Sequence, residues 1–226
     1  MAFKMHEFSD LESCNKALVE AVVLSIDQIL SDKQSVNLAF SGGKSPVLFL
    51  EMLSKKACAW DKCNISLVDE RIVELDHEDS NARLIKMHFL KNLAQKAHFK
   101  PFFKDCKLSL EDLVKNANKF YNQPDIAILG MGGDGHTASL FPEADEINFA
   151  LTTQKNIISV TPKNAPYKRL SMSLSALENC NELFLSITTR EKQLVFNEAA
   201  KGLNPKFPIS YILHSKKVMC NVYFSK

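Results

Sequence analysis

Two kinds of hydrophobic pattern alternate along this chain. Short, nearly continuous apolar runs are typical of strands that are buried on both faces of a parallel sheet. These runs lie at residues 36–40, 64–68, 126–129, 157–160, 170–174, 182–187, 209–213 and 218–224. Apolar residues recur at helical spacing over residues 9–32, 46–57, 81–93, 109–121 and 189–201. The alternation predicts one α/β domain over residues 1–226, with a mostly parallel Rossmann-like sheet flanked by helices.

Polar residues mark the expected beginnings of several helices. Ser9 and Glu12 have the spacing of a capping box ahead of the first helix. Ser45 can cap the second helix, and Asp79 or Ser80 can cap the third.

Glycine and charge are concentrated where three of the predicted strands end. The segments are SGGKSP at 41–46, DER at 69–71 and GMGGDGHTASLFP at 130–142. Because the carboxyl ends of parallel strands form one edge of the sheet, and ligands bind at that edge, the three segments are expected to meet there.

The segment at 41–46 has the features of an anion site. A strand, a glycine turn and a helix N-terminus together present free backbone N–H groups and the positive end of a helix dipole. Ser41, Gly42, Gly43 and Lys44 are therefore candidate ligands of a phosphate or an oxyanion. The same residues also fit a tight turn that binds nothing. Their spacing is not that of a Walker loop or a dinucleotide fingerprint, so ATP, NAD and FAD are not predicted.

The segment at 130–142 contains four of the seven glycines together with one acid and one imidazole. Among the six histidines, His136 alone lies in a glycine-rich loop beside a carboxylate, that of Asp134. Neutral imidazole can take a proton from water, and a neighbouring carboxylate can orient the ring and stabilise its charged form. His136 is therefore the candidate general base. A purely structural hydrogen bond between the two side chains is the alternative.

Several cations could hold an anionic substrate. Arg71 has the planar fork that suits a phosphate, and Lys168 or Arg169 could approach from a later loop. Asp69 and Glu70 directly precede Arg71. A structural ion pair between Arg71 and these acids is therefore an equally good interpretation.

Composition bears on which classes of function are expected. The chain has 226 residues, 46% of them hydrophobic, and a formal net charge of +2, which is too small to indicate a nucleic-acid binder. The six cysteines form no C-x-x-C pair and have no zinc-site spacing, so most are expected to be buried as small hydrophobic residues. Neither a signal peptide nor a membrane span is predicted, and a cytoplasmic location is expected.

Four sequence blocks resemble those of the 6-phosphogluconolactonases, in the same order. They are SGGKSP (41–46), VDERIVELDHEDSN (68–81), ILGMGGDGHTASLFP (128–142) and, more loosely, TPKNAPYKRLSMSL (161–174). The third is highly specific. The resemblance implies the fold shared with glucosamine-6-phosphate deaminases and ribose-5-phosphate isomerases. It also implies hydrolysis of 6-phospho-D-glucono-1,5-lactone in the oxidative pentose phosphate pathway, without a metal or an organic cofactor.

The resemblance also implies roles for individual residues. His136 would activate the water with support from Asp134, while Arg71 and either Lys168 or Arg169 would hold the phosphate. Asp69, Gly132 and Gly133 are further candidates for substrate binding, with backbone N–H groups of the glycine loops stabilising an oxyanion. Lys44 stands where the family usually has a small polar residue, and Gly133 stands where proline is common. Ser41 and Ser139 are rival nucleophiles, but neither lies in a G-x-S-x-G elbow.

Two other functions fit the same scaffold. A sugar-phosphate isomerase or deaminase would use Asp69 to move a proton, but those enzymes tend to read DEY and DGHIAFNEP instead of DER and DGHTASLFP. A non-catalytic sugar-phosphate sensor usually carries a DNA-binding segment, for which there is no spare N-terminal stretch here. A small-molecule substrate and no nucleic-acid or membrane partner are therefore expected. The sequence does not determine the oligomeric state, for which a monomer is slightly favoured.

Overall fold

A seven-stranded sheet forms the centre of the molecule. In the computed structural model, which describes residues 3–225, all neighbouring strands of this sheet are parallel. In spatial order the strands are β1 (Phe3–Phe8), β10 (Met219–Ser225), β9 (Glu182–Ile187), β6 (Ile126–Gly130), β2 (Val36–Phe40), β3 (Cys63–Leu67) and β5 (His98–Phe99). The mostly parallel α/β class that the sequence predicts is confirmed.

A second, smaller sheet lies beside the carboxyl end of β3. Its three antiparallel strands are, in spatial order, β4 (Asp69–Arg71), β8 (Arg169–Met172) and β7 (Ile157–Val160). Val68 connects the two sheets, because its N–H donates to Phe40 and its carbonyl accepts from Met172. The predicted strands at 157–160 and 170–174 therefore exist, with the second shifted, but they belong to this smaller sheet.

Helices cover both faces of the central sheet. They are α1 (Leu11–Asp32), α2 (Val47–Ser54), α3 (Asn81–His88), α4 (Leu110–Lys119), α5 (Ile147–Thr152), α6 (Leu174–Glu178), α7 (Arg190–Ala199) and α8 (Ile209–Leu213), with 3₁₀ turns at Trp60–Lys62 and Asn92–Lys96. No helix in the described part of the chain is long and apolar enough to cross a membrane.

Successive side chains of the central strands enter two hydrophobic cores, one on each face. In β2, Leu38 and Phe40 pack with residues of α1, α2 and α3, whereas Ala39 belongs to the core that includes residues of α4, α6, α7 and α8. In β6, Ile128 belongs to the core with α1, α2 and α3, and Leu129 belongs to the opposite core. Since both faces are apolar, these strands appear in the sequence as continuous hydrophobic runs.

Two of the predicted helix caps and one predicted strand are wrong. Asp10, not Ser9, caps α1, because its carboxylate accepts from the N–H of Ser13. Pro46 occupies the cap position of α2, so Ser45 has no capping role there. Residues 209–213 form α8 instead of a strand. Five apolar residues are too few to show a helical period, and Pro208 already has helical dihedral angles.

Candidate active site

The three segments rich in glycine and charge meet at one cavity of about 250 Å³ at the carboxyl edge of the central sheet. The strand ends of β2 and β6 form its floor, and β4 with β8 of the smaller sheet form one wall. The lining includes Ser41, Gly42, Gly43, Lys44, Asp69, Arg71, Asn81, Gly132, His136, Arg169, Ser186 and Lys192. The convergence predicted from strand topology is thus seen in the structure.

Ser41 ties the first two segments together. Its N–H donates to Ile128, and its hydroxyl accepts from the N–H of Gly130, at 3.1 Å. Gly42 follows in close contact with the Asn81 amide, since a Cβ at position 42 would lie 1.8 Å from Asn81 Oδ1. Gly43 has a φ of +90°, which favours glycine. Both glycines are therefore required by geometry, and Lys44 follows them as an exposed residue on the cavity rim.

His136 is held by a short loop that only glycine permits. Its Nδ1 lies 2.5 Å from Asp134 Oδ1, and its carbonyl accepts from the N–H of Gly132. A Cβ on Gly132 would lie 2.3 Å from the imidazole. Gly135 has a φ of +77° and packs against Phe207. With Nδ1 directed at Asp134, Nε2 is the ring nitrogen left for a ligand.

The Asp134 carboxylate is suited to support a positive imidazole. Partial burial raises its pKa, but hydrogen bonds from the His136 ring and from backbone N–H groups outweigh that effect. The net result is a pKa below the usual value for an aspartate, so the carboxylate is ionised at neutral pH.

Two arginines stand opposite each other in the smaller sheet. Arg71 of β4 is the antiparallel partner of Arg169 of β8. The Arg71 guanidinium donates to the carbonyl of Asp79 at 2.6 Å, and in residues 3–225 it forms no ion pair with Asp69 or Glu70. The interpretation of Arg71 as a purely structural ion pair with its neighbours therefore finds no support.

Arg169 is buried, with 7% of its surface exposed. Its guanidinium lies 3.6 Å from the carboxylate of Asp69 and 5.0 Å from the ring centre of Phe141. Burial lowers the pKa of Arg169, and the nearby Arg71 adds to that effect while Asp69 opposes it. Like charges on facing residues destabilise a sheet. An anion between the two arginines would remove this cost.

Both arginines keep unused hydrogen-bonding capacity. The Nε atoms of Arg71 and Arg169 are buried without a hydrogen-bond partner in the described structure. Buried donors of this kind are costly unless a ligand or water satisfies them. The pair therefore has both the charge and the free donors that a phosphate would use.

Asp69 is engaged on several sides. Its carboxylate accepts from Ser139 Oγ at 2.6 Å and from the Asn81 amide at 3.3 Å, and it is also the ion-pair partner of Arg169. Its role in this structure is to hold neighbouring groups in position. Ser139, which donates the first of these hydrogen bonds, is fully buried.

The structure separates residues that sequence reasoning grouped together. Lys168 is exposed and does not line the cavity, whereas its neighbour Arg169 does. Gly133 and Asp134 are exposed and do not line the cavity, and Asp134 is connected to it through the hydrogen bond with His136.

Lys192 and Asn81 are among the lining residues that sequence reasoning missed. Lys192 belongs to the first turn of α7, and partial burial lowers the pKa of its ammonium group. It follows the carboxyl end of β9, so the topological argument used for the other loops could have found it. Asn81 had no comparable signal, because its position depends on how the segment after β4 folds back.

Comparisons with known proteins agree with this geometry. A model of the family described as Glucosamine-6-phosphate isomerases/6-phosphogluconolactonase matches residues 9–220. A Helicobacter pylori (strain J99) protein named 6-phosphogluconolactonase is 48% identical over 229 residues, covering 100% of both chains. The chain belongs to this family, and the resemblance inferred from the four sequence blocks is confirmed.

Solved structures show the same fold. A Neisseria gonorrhoeae protein that is 39% identical superposes with a TM-score of 0.96, covering 99% of this chain and 100% of its own. A 6-phosphogluconolactonase from Shewanella baltica is 29% identical, with a TM-score of 0.90 and coverage of 98% and 97%.

Proposed function

We propose that this chain hydrolyses 6-phospho-D-glucono-1,5-lactone to 6-phospho-D-gluconate in the oxidative pentose phosphate pathway, with His136 as the general base. The observation that carries the proposal is the contact of 2.5 Å between His136 and Asp134 on a cavity that two arginines also line. Family membership and the name carried by its relatives give the substrate class.

The proton moves from water to the imidazole. Water bound at His136 Nε2 loses a proton as its oxygen attacks the lactone carbonyl, and Asp134 stabilises the imidazolium that forms. The carbonyl oxygen becomes an oxyanion, for which backbone N–H groups of the glycine loops are the proposed donors. Collapse of the tetrahedral intermediate breaks the ring C–O bond, and the leaving oxygen takes the proton from the imidazolium to become a hydroxyl group, which restores neutral His136.

The substrate phosphate is assigned to the cationic side of the cavity. Arg169 and Arg71 supply planar donors, and Lys192 supplies a half-buried ammonium group. Lys168 has no part in this assignment, because its side chain is exposed away from the lining.

A covalent mechanism has little support. The hydroxyl of Ser139 donates to Asp69, and the hydroxyl of Ser41 accepts from Gly130. Within residues 3–225 neither serine is hydrogen-bonded to an imidazole that could activate it. Direct attack by water needs no such group, and a lactone is reactive enough for a base and correct orientation to suffice.

Deamination or isomerisation of a sugar phosphate is the second candidate, since the family description includes it. That chemistry would require Asp69 to exchange protons with substrate. Asp69 is buried and already engaged by Ser139, Asn81 and Arg169.

Separate assays on two substrates test the proposal. Purified protein is given freshly generated phospholactone, and its loss is measured above the spontaneous rate. Glucosamine 6-phosphate is supplied in a parallel reaction. We expect turnover of the lactone alone, and turnover of the amino sugar alone would reject the assignment.

A further inference from the structure

Phe141 contacts both halves of the candidate active site from outside the cavity lining. Its side chain is buried, with 7% of its surface exposed, and it does not line the cavity. The centre of its ring lies 4.1 Å from the centre of the His136 ring, with 33° between the two planes. The same ring centre lies 5.0 Å from Cζ of Arg169. One aromatic side chain therefore contacts both the proposed base and a proposed phosphate ligand.

The loop after β6 folds back on itself to bring Phe141 to the imidazole. The N–H of Phe141 donates to the carbonyl of Ser139 at 3.0 Å, which closes a tight turn. Ala138 has a φ of +49°, in the left-handed region that residues other than glycine seldom adopt. Because of this turn, a side chain five residues after His136 packs against its ring.

Other contacts hold this loop independently of the side chain at position 141. The N–H of Ser139 donates to the hydroxyl of Ser171 at 3.0 Å, and its own hydroxyl donates to Asp69 at 2.6 Å. Ser171 belongs to β8 and Asp69 to β4, so both contacts attach the loop to the smaller sheet. A change at position 141 is therefore expected to alter the ring contacts without releasing the loop.

Both groups that meet the Phe141 ring are positively charged when they act. The face of an aromatic ring attracts cations, and the attraction is stronger where water is excluded. Arg169 is a cation throughout the reaction. The imidazole of His136 becomes one only when it has taken a proton from water. Contact with the ring therefore favours the imidazolium that forms in the transition state over the neutral imidazole of the resting protein.

We propose that Phe141 is a positioning residue that couples the base to the phosphate site, because its ring stabilises the His136 imidazolium and orients the Arg169 guanidinium. The inference rests on the proposed function, to which it adds a residue that does not touch the substrate. Its role differs from that of Asp134, which binds the edge of the imidazole at Nδ1, whereas Phe141 packs against the face of the ring.

Fluorinated phenylalanines at position 141 test the contact with the base. Fluorine withdraws electrons from the ring and weakens its attraction for cations, while the shape of the side chain is nearly kept. From Phe141 through 4-fluoro- to 3,4,5-trifluorophenylalanine, we expect kcat for the phospholactone to fall stepwise, by about tenfold in total. The same replacements at Phe184 are the matched control. Phe184 is buried in β9, where its ring neighbours that of Tyr223, so kcat should not change.

A double-mutant cycle tests the contact with the arginine without any turnover. Phe141→Leu should raise the Kd for 6-phosphogluconate, measured by calorimetry, by about three- to tenfold, because the guanidinium loses the ring that orients it. In an Arg169→Met background the same substitution should have no further effect on Kd, since the ring then has no cation to orient.

Two results would overturn the inference. One is a kcat that stays constant along the fluorinated series at position 141 or falls equally along the series at position 184. The other is an equal rise in Kd on Phe141→Leu with and without Arg169. Failure of the proposed function would look different, because the unmodified chain would then not hydrolyse the phospholactone, and the catalytic part of the inference would be rejected with it. The fluorinated side chains keep nearly the same volume, so the first test does not depend on a destabilised variant.

Discussion

At the scale of single residues, the position of His136 leads to the first prediction. His136→Ala should lower kcat for the phospholactone by about 10²- to 10⁴-fold, because no other imidazole in residues 3–225 lines the cavity. KM should change little, since the cationic side of the cavity is intact. Steady-state kinetics with freshly generated lactone measure both constants.

A histidine far from the cavity provides the control. His98 lies in β5 at the edge of the sheet, so His98→Ala should keep wild-type kinetics. Asp134→Asn should give an intermediate loss of kcat, because it keeps a hydrogen-bonding group beside the ring but removes the charge. Unchanged hydrolysis by His136→Ala would remove the imidazole from the mechanism.

The second prediction compares adjacent cations. Arg169→Met should raise KM for the phosphorylated substrate by about 10- to 100-fold, the equivalent of a lost charge-assisted pair worth about 1.5–3 kcal/mol. Lys168→Met should change KM by less than about twofold, because exposed charges contribute little.

Unphosphorylated glucono-1,5-lactone shows whether the effect belongs to the phosphate. Its hydrolysis, although slow, should respond equally weakly to both substitutions. If Lys168→Met weakened phospholactone binding more than Arg169→Met, the assignment based on the cavity lining would be wrong.

At the scale of elements, one buried carboxylate fixes how β4 meets α3. Glu70 has no exposed surface, and its two oxygens accept from the N–H groups of Arg71, Asn81 and Ala82 and from the hydroxyl of Ser80. This contact joins the strand that carries Arg71 to the helix that begins with Asn81. Two residues of the cavity lining are therefore positioned by a residue outside it.

The third prediction concerns the pH dependence of this contact. Burial raises the pKa of Glu70 to about 7, although the three N–H groups act in the opposite direction. Between pH 4.5 and 7 the folded state therefore holds a proton that the unfolded state has released, so this contribution to stability decreases as pH rises. The decrease is up to about 3 kcal/mol, at 1.36 kcal/mol per pKa unit.

Urea unfolding at pH 5, 6 and 7 measures the effect. The free energy of unfolding of the wild type minus that of Glu70→Gln should fall across this range. Glu74→Gln should run parallel to the wild type, because Glu74 is exposed and its ion pair with Lys107 lies on the surface. A difference that grows with pH would mean that the four donors dominate over burial.

The same elements show how far sequence reasoning reaches. The strand ends at Phe40 and Gly130 were predictable, because buried strands have a clear apolar pattern and parallel topology sends their loops to one edge. β1 was not predicted, since Lys4, His6 and Glu7 interrupt its apolar residues as is usual in an edge strand. Asn81 was missed because a local pattern does not reveal a contact made through Glu70.

At the scale of the whole molecule, the cavity depends on parts that are distant in the sequence. The central sheet supplies His136, the proposed base, through the loop after β6, and the smaller sheet supplies the two arginines. Asp69 connects them, since it accepts from Ser139 of the first loop and pairs with Arg169 of the second sheet. Filling the cavity with an anion should therefore stabilise the fold as a unit.

The fourth prediction follows from this coupling. A ligand that binds only the folded chain stabilises it by about 2.7 kcal/mol at 100 times its Kd. For a chain of 226 residues this corresponds to a rise in Tm of about 5–10 °C. We expect 6-phosphogluconate to produce such a rise in a thermal unfolding scan, and gluconate, which lacks the phosphate, to produce none at the same concentration.

Arg71→Ala distinguishes phosphate binding from general screening of charge. Within residues 3–225 its side chain takes part in one hydrogen bond, to Asp79, and lies opposite Arg169, so its removal relieves repulsion in the free protein. The unliganded Tm should therefore change little while the rise caused by 6-phosphogluconate shrinks by about half, because binding weakened about tenfold costs about 1.3 kcal/mol of ligand stabilisation. An undiminished rise in the Tm of Arg71→Ala would show that Arg71 does not contact the phosphate. Equal rises in Tm with gluconate and 6-phosphogluconate would show that the cationic side of the cavity does not recognise the phosphate.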